Sequence, residues 1–397
     1  MTAQDYAPFR DRAAIAGIGR TEFSRDSGRS ALALASEAAR AAIADAGLTP
    51  DQIDGLVRCD MDQTTGAAMA GALALRDVQF SADVGVGGGA PCAMIGVAAA
   101  AVLSGQARHV LVWRALNGRS EGRLGAAIAP RTEAGGLGSY DEFFTPYGLL
   151  TAPQSFALLA QRHRALYGTT DEQFGATAIV CRENANRTPH AQMHGKPLDM
   201  AGYLASRVIS TPLRLFDCCL ETDGGAAVVV TTTERARDLA QAPALIRATA
   251  QAPAAGSGGG MMFPSITWSD PLALAAGPVA QRLWARAGLG PQDIDVAQVY
   301  DCFTITILLQ LEAYGLCPVG ESGAFVQSGA VSAGGRVPIN TDGGNMSGGY
   351  IHGLNHIVEG VRQMRGTADV QRPGAETCLV TSGPVGMSSA LVLRRDA

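Results

Sequence analysis

Two short segments carry the side chains best suited to chemistry in this 397-residue chain. One is Tyr300-Asp301-Cys302-Phe303; the other is the glycine-rich run Asn340-Thr-Asp-Gly-Gly-Asn-Met-Ser-Gly-Gly-Tyr-Ile-His-Gly353, which holds Tyr350 and His352. Phenols and imidazoles move protons. A tyrosine, with an ordinary pKa near 10, becomes a base at neutral pH only if that pKa falls or its proton passes to a partner. Glycines let main chain come close to a ligand, so Gly343, Gly344 and Gly349 are candidate ligand-binding positions and Asn345 a candidate donor. Other chemistries are poorly served. Lys196 is the only lysine and lies in the polar loop Met193-His-Gly-Lys-Pro, which reads as a solvated position rather than the buried one that Schiff-base work needs. His352 and His356 have the i, i+4 spacing of a metal pair but no third ligand beside them, so no metal is expected. The eight cysteines include no C-x-x-C pair, only the adjacent Cys218-Cys219, which argues against a zinc site or a disulfide framework. Gly85-Val-Gly-Gly-Gly89 lacks the spacing and acidic partner of a dinucleotide fingerprint.

The elements that must position these residues are legible through a repeat. Ala46-Gly-Leu-Thr-Pro-Asp-Gln-Ile-Asp-Gly-Leu-Val57 returns 241 residues later as Ala287-Gly-Leu-Gly-Pro-Gln-Asp-Ile-Asp-Val-Ala-Gln-Val299. Each copy ends a helix at a glycine, turns through a proline and enters an apolar strand, so the chain reads as two versions of one α/β unit. The first half predicts strand 13–18, helix 30–46, strand 53–59, helix 90–104 and strand 109–113. After an insertion at about 118–210, with helices 154–167 and 170–183, it resumes with a buried strand from Asp223 and a helix to about Ala240. The second half predicts strand 244–248, helix 271–287, strand 296–300, helices 304–314 and 351–364, and strand 378–381 before a closing Ala390-Leu-Val-Leu. Strands alternating with helices predict parallel pairing. Helices 90–104 and 351–364 correspond, and their N-termini are expected to meet near a pseudo-twofold axis, offering N–H groups to an oxyanion.

The glycine-rich run resembles the C-terminal signature of the thiolase superfamily, Asn-x-x-Gly-Gly-x-x-x-x-Gly-His-Pro-x-Gly. Asp301-Cys-Phe resembles the His-Asp-Cys-Phe of its sterol-carrier-protein (lipid-transfer-protein) branch. Cys218-Cys-Leu-Glu-Thr-Asp-Gly-Gly-Ala-Ala resembles that branch's Cys-Cys-x-x-x-Asp-Gly-Ala-Ala. The resemblance covers nearly the whole chain. It implies an α/β fold, a duplicated βαβαβαββ in a five-layer αβαβα arrangement with an inserted loop domain, divided as residues 1–240 and 241–397.

Departures from the thiolase pattern are the more informative part. The nucleophilic cysteine falls at Gly88, and Cys92 comes about one helical turn too late to replace it. The histidine of Gly-His-Pro is Tyr350, that of His-Asp-Cys-Phe is Tyr300, and the late Cys-x-Gly is Thr381-Ser-Gly383. This pattern resembles the steroid side-chain-cleaving thiolase-like aldolases, which use paired tyrosines at these places. The resemblance implies retro-aldol cleavage of a β-hydroxyacyl-CoA to a ketone and a short acyl-CoA such as propionyl-CoA. Tyr300 and Tyr350 would share the acid and base roles, while His352 orients Tyr350 or the acyl-CoA and Asp301 fixes Tyr300 or the turn. Backbone N–H groups around Gly88 and Gly383 would hold the thioester oxygen. No bound cofactor is implied, coenzyme A being part of the substrate. The implied assembly is a homodimer carrying a small OB-fold partner of the DUF35 type, fused to or encoded with a hydratase. Two other readings are a lipid-transfer-type thiolase using Cys92 and a non-catalytic acyl-CoA-binding scaffold.

Composition narrows the partners further. A net charge of −5 gives no basic footprint for nucleic acid. The start of the chain lacks a basic region followed by an apolar run, and the longest apolar stretch, Ala93 to Leu103, is too short to span a bilayer. A cytoplasmic protein with reduced thiols and no membrane contact is expected.

Overall fold

A computed structural model of the chain describes residues 3–85, 87–121, 145–253, 272 and 274–396. The first half of the chain supplies β1 (Ala13–Arg20), β2 (Gly55–Cys59), β3 (Phe80–Val84) and β4 (Val110–Asn117). The small hairpin of β5 (Val208–Ser210) and β6 (Leu213–Arg214) precedes β7 (Asp223–Thr232). The second half supplies β8 (Ala244–Pro253), β9 (Val296–Gln298), β10 (Thr377–Thr381) and β11 (Met387–Arg395). Nine of these strands form one sheet in the order β3-β2-β4-β7-β1-β8-β11-β10-β9. The order repeats outward from the β1/β8 seam, with β7, β4 and β2 on one side matched by β11, β10 and β9 on the other. That is the duplication seen in the repeat. The counterpart of β3 shrinks to an isolated parallel bridge between Ala297 and Ile339.

Pairing is mixed. β2 runs parallel to β3 and β4, and β9 parallel to β10, but the central pairs from β4 across the seam to β10 are antiparallel. The strands that alternate with helices, β1, β2, β3 and β4 in one half and β8, β9 and β10 in the other, share one direction within each half as expected, and β7 and β11 run back between their neighbours to close each βαβαβαββ unit. Helix Gly66–Leu73 and edge strand β3 were not foreseen, because a short Ala/Gly-rich helix and a half-exposed strand carry little periodic signal.

Alternation along the strands fixes the layers. Leu111, Trp113, Ala227 and Val229 face helix Ala31–Asp45 through its buried Leu34, Ala35 and Ala38. Their neighbours Val110, Val112, Val228 and Val230 face inward and share a core with Ile95, Ala98, Ile357 and Val361 and with Val380, Leu391 and Leu393 of the other half. On the far side Leu379, Ala390 and Val392 meet Val279, Leu283, Ile305 and Leu308. Helices Pro91–Leu103 and Leu354–Arg365 therefore form a middle layer touched by both halves, giving the αβαβα stack. Helix Pro91–Leu103 is apolar almost all round, as a helix buried on every side must be.

The part of the insertion at residues 122–144 lies outside the described residues, as do residues 271 and 273; Leu272, Leu274 and Ala275 are not helical, so the helix predicted over 271–287 begins only at Ala276. The remaining insertion helices, Ala152–Tyr167 and Asp171–Asn186, begin at capping boxes in which Gln154 and Gln173 reach back to Thr151 and Thr170. They cross over to pack on helices Thr304–Ala313 and Ser322–Gln327 of the second half and on the glycine-rich run. The insertion thus roofs the region where the tyrosines lie.

Candidate active site

Strand β9 stops at Gln298, two residues earlier than expected, so Tyr300 lies beyond its end and its ring is free of the sheet alternation. Its backbone is held on both sides. The N–H donates to Thr381 Oγ1 at 2.9 Å, and the carbonyl accepts from Gln310 Nε2 at 2.6 Å and Thr306 Oγ1 at 3.2 Å. Thr381 donates in turn to Gln310 Oε1 at 2.7 Å, closing a small buried ring of bonds around the residue.

Tyr350 arrives from the glycine-rich run, which forms a short π-helical turn at Gly344–Gly348 and stays irregular until helix Leu354–Arg365 begins. The Tyr350 N–H donates to Thr222 Oγ1 at 2.9 Å. Preceding it, Gly349 has φ 157° and a side chain there would overlap the Phe23 ring, so the close approach requires glycine. The two phenols meet: Tyr300 Oη and Tyr350 Oη are 3.1 Å apart, and both residues are buried.

Gly88 explains why a tyrosine can stand there. A Cβ built on Gly88 would overlap the Tyr300 hydroxyl. The phenol thus occupies the volume that a side chain at position 88 would need, and the loss of a side chain at 88 and the arrival of Tyr300 are one structural change.

Asp301 points the other way, into the glycine-rich turn. Its carboxylate accepts from the N–H groups of Asn345 (3.0 Å) and Met346 (3.1 Å) and pairs with His356 Nε2 at 2.8 Å. The structure therefore gives Asp301 and His356 the task of clamping the turn that presents Tyr350. Asp301→Ala should lower stability by about 3 kcal/mol, because the imidazole and two N–H groups would lose a fully buried partner. Urea unfolding measures this directly.

His352 does not join His356. Its Nδ1 accepts from Arg114 Nη2 at 2.7 Å and Nε at 3.2 Å, and its ring meets Tyr350 edge to face with centroids 5.1 Å apart. Arg114 lies in the middle of β4, only 1% exposed, with Asp62 Oδ2 at 3.4 Å from Nη1. Neither Arg114 nor Asp62 was anticipated, although a lone charge inside the apolar run Val110-Leu-Val-Trp-Arg-Ala-Leu was a usable signal. Asn345, buried in the turn, has no hydrogen-bond partner on either side-chain atom among the described residues.

Electrostatics follow from burial. Desolvation pushes both tyrosines well above their ordinary range. Each also feels the other and the neighbouring Cys219 and Cys302. For Tyr350, the bond from Tyr300 and the charge of Arg114 act in the opposite, lowering direction, whereas for Tyr300 the Tyr350 contact adds to the rise. Burial, then Arg114, pushes His352 well below its usual value, so it is neutral.

The expected oxyanion donors are mostly engaged. The Gly383 N–H donates to the Gly88 carbonyl at 2.6 Å, and the first N–H groups of helix Pro91–Leu103 donate to Ser382 Oγ (from Cys92, 3.0 Å) and Ser389 Oγ (from Ala93, 3.0 Å). Cys92 is 1% exposed, its Sγ turned to the Val380 carbonyl at 3.5 Å, and burial pushes its thiol up to about 12. In the insertion, the Gln192 and Met193 N–H groups bond the Gly348 and Ser347 carbonyls. Lys196 Nζ donates to the Gln192 carbonyl and His190 faces Asp369.

A duplicated five-layer αβαβα fold with two phenols facing each other beside Gly88 marks the class as a thiolase-fold protein. Comparison with known proteins agrees. Residues 264–395 match the family described as thiolase C-terminal domain-like. The chain is 44% identical over 385 residues to the 17-hydroxy-3-oxo-4-pregnene-20-carboxyl-CoA lyase of Mycobacterium tuberculosis, covering 96% of this chain and 99% of that one. It is 45% identical over 388 residues to the steroid side-chain-cleaving aldolase of Thermomonospora curvata, covering 97% and 98%. A solved structure of an Ltp2-ChsH2(DUF35) aldolase superposes with a TM-score of 0.91 at 42% identity, over 98% of this chain and 99% of that chain. The chain belongs to the thiolase superfamily, in its family of steroid side-chain-cleaving aldolases, and is an enzyme of the carbon–carbon lyase class. No helix among the described residues is long and apolar enough to cross a membrane.

Proposed function

We propose that this chain cleaves a tertiary β-hydroxyacyl-CoA, with a steroid or bile-acid side chain as the acyl group, to a ketone and a short acyl-CoA such as propionyl-CoA. The observation that carries the reading is the 3.1 Å contact between the buried Tyr300 and Tyr350 hydroxyls. Two phenols whose ionisation is opposed by burial are poor free bases, but in contact they form a neutral relay. Tyr350 Oη takes the substrate hydroxyl proton while its own proton passes to Tyr300 Oη, and Tyr300 gives its proton to the enolate carbon. The Cα–Cβ bond breaks with its electron pair moving into the thioester, the β-oxygen becomes the ketone, and one proton has moved from oxygen to carbon. Tyr350 is the receiving end because the nearby Arg114 charge favours negative charge building on it as the protons move. Asn345, with its side-chain amide unpaired among the described residues, is the candidate donor from the turn, and the Gly88 N–H is one donor to the thioester oxygen; Gly343, Gly344 and Gly349 pack instead on Ala185, Asp301 and Phe23 and shape the turn rather than the ligand side.

The working assembly in this reading is a homodimer of chains, each divided into halves 1–240 and 241–397, with a DUF35-type OB-fold partner that presents the acyl-CoA, supplied with substrate by a hydratase. The complex named in the solved relative supports the partner. Incubating the chain with tertiary β-hydroxyacyl-CoAs, alone and with such a partner, tests the function: ketone and short acyl-CoA should appear in equal amounts. If 3-ketoacyl-CoA thiolysis appeared instead and Cys92→Ala abolished it, the thiolase reading would hold; the burial of Cys92 predicts that this variant cleaves at the native rate. Acyl-CoA binding without turnover would support the scaffold reading.

A further inference from the structure

We propose that His352 is the side-chain donor that holds the thioester oxygen as charge develops on it, with Arg114 and Asp62 as positioning residues that fix its imidazole for that task. The inference rests on the aldolase reading. A retro-aldol step develops charge at two oxygens, and the tyrosine relay serves only the hydroxyl. With Gly383 bonded to Gly88, and Cys92 and Ala93 bonded to Ser382 and Ser389, these backbone groups are engaged and leave the Gly88 N–H in need of a side-chain donor beside it.

A guanidinium can only donate. Since Arg114 Nε and Nη2 both reach His352 Nδ1, that nitrogen is the acceptor and the single ring proton resides on Nε2. Among the described residues no acceptor meets that Nε2–H. Arg114 is held in its turn: Asp62 lies against Nη1, and the Asp62 carboxylate is fixed by the N–H groups of Thr64 at 3.0 Å and Ala115 at 3.0 Å. His352 also adopts φ 50°, a left-handed backbone that residues with a Cβ disfavour and that persists where surroundings over-determine it. A buried arginine, a buried carboxylate and a strained backbone thus combine to aim one N–H beside Tyr350.

Gln is the matching replacement, because its amide oxygen can accept from Arg114 while its amide nitrogen donates as Nε2 does. In the preparation that cleaves substrate, His352→Phe should lower kcat about a hundredfold to a thousandfold with little change in KM, and His352→Gln should recover most of it. Independently of turnover, 15N spectra of the histidine-labelled chain, with the His352 signals assigned by their loss in His352→Gln, should contain one neutral Nε2–H ring from about pH 6 to about pH 8.5. Arg114→Met should release that ring into tautomer exchange. A native His352 that is protonated or carries Nδ1–H, or a His352→Phe enzyme with native kcat, overturns the inference; absence of cleavage by the native chain overturns the aldolase reading instead.

Discussion

Tyr300→Phe and Tyr350→Phe should each lower kcat by about a thousandfold, and the double variant should be no slower than either one. General acid–base groups contribute roughly a hundredfold to ten-thousandfold. Two groups that pass one proton along a chain fail together, so their effects do not add. Separate acid and base roles would instead give losses that multiply. Each ring is held by contacts that a phenylalanine keeps: Tyr300 through its backbone bonds to Thr381, Thr306 and Gln310, and Tyr350 through its N–H to Thr222. Folding should survive, as far-UV and thermal unfolding curves would report. The relay also dictates a pH response. Both phenols are pushed above their ordinary range and therefore stay protonated across neutral pH. A relay of neutral phenols gives a flat kcat from about pH 6 to about pH 9, whereas a mechanism through free tyrosinate would gain about tenfold per pH unit. A rising profile would refute the relay.

The second large effect is expected at a residue with no side chain. Gly88→Ala should reduce cleavage by at least about a hundredfold while costing only about 1–3 kcal/mol of stability, because the added methyl overlaps the Tyr300 hydroxyl and the ring must swing away from Tyr350. Gly88→Cys should behave the same way and gain no thiolysis, since Tyr300 holds the space a thiol would use. Cleavage by Gly88→Ala at the native rate would mean that the Tyr300 position in this structure is not the one that reacts.

How much of this could be read beforehand depends on what each residue does. Tyr300 and Tyr350 were found because they replace histidines inside recognisable local strings, and the repeat located the first of them independently. The layers followed from apolar runs and their period. Local alternation does not show that β7 inserts between β1 and β4, or β11 between β8 and β10, because the neighbour a strand joins is a long-range matter that composition does not encode. Asp301 was legible as a site residue, but its direction was not: a carboxylate beside a catalytic tyrosine reads as its partner until the π-helical turn is seen to lie on the other side. Arg114 and Asp62 are 52 residues apart in the sequence. Only the parallel neighbours β2 and β4 bring them together, so no local string contains the pair.

The two copies of the repeat end against neighbouring glycines of the same turn. Counted through the 241-residue offset, Tyr300 of the late copy answers to Cys59 of the early one. Cys59 Sγ approaches the Gly87 carbonyl at 4.0 Å, while the Tyr300 hydroxyl lies against Gly88. Had the halves remained separate identical subunits, any phenol introduced at this position would have entered twice and crowded the turn from both flanks. Fusion into one polypeptide removes that constraint, letting one flank retain a small inert thiol while the other acquires a reactive ring. The divergence of the two copies thus lets one ring, and not two, meet this turn.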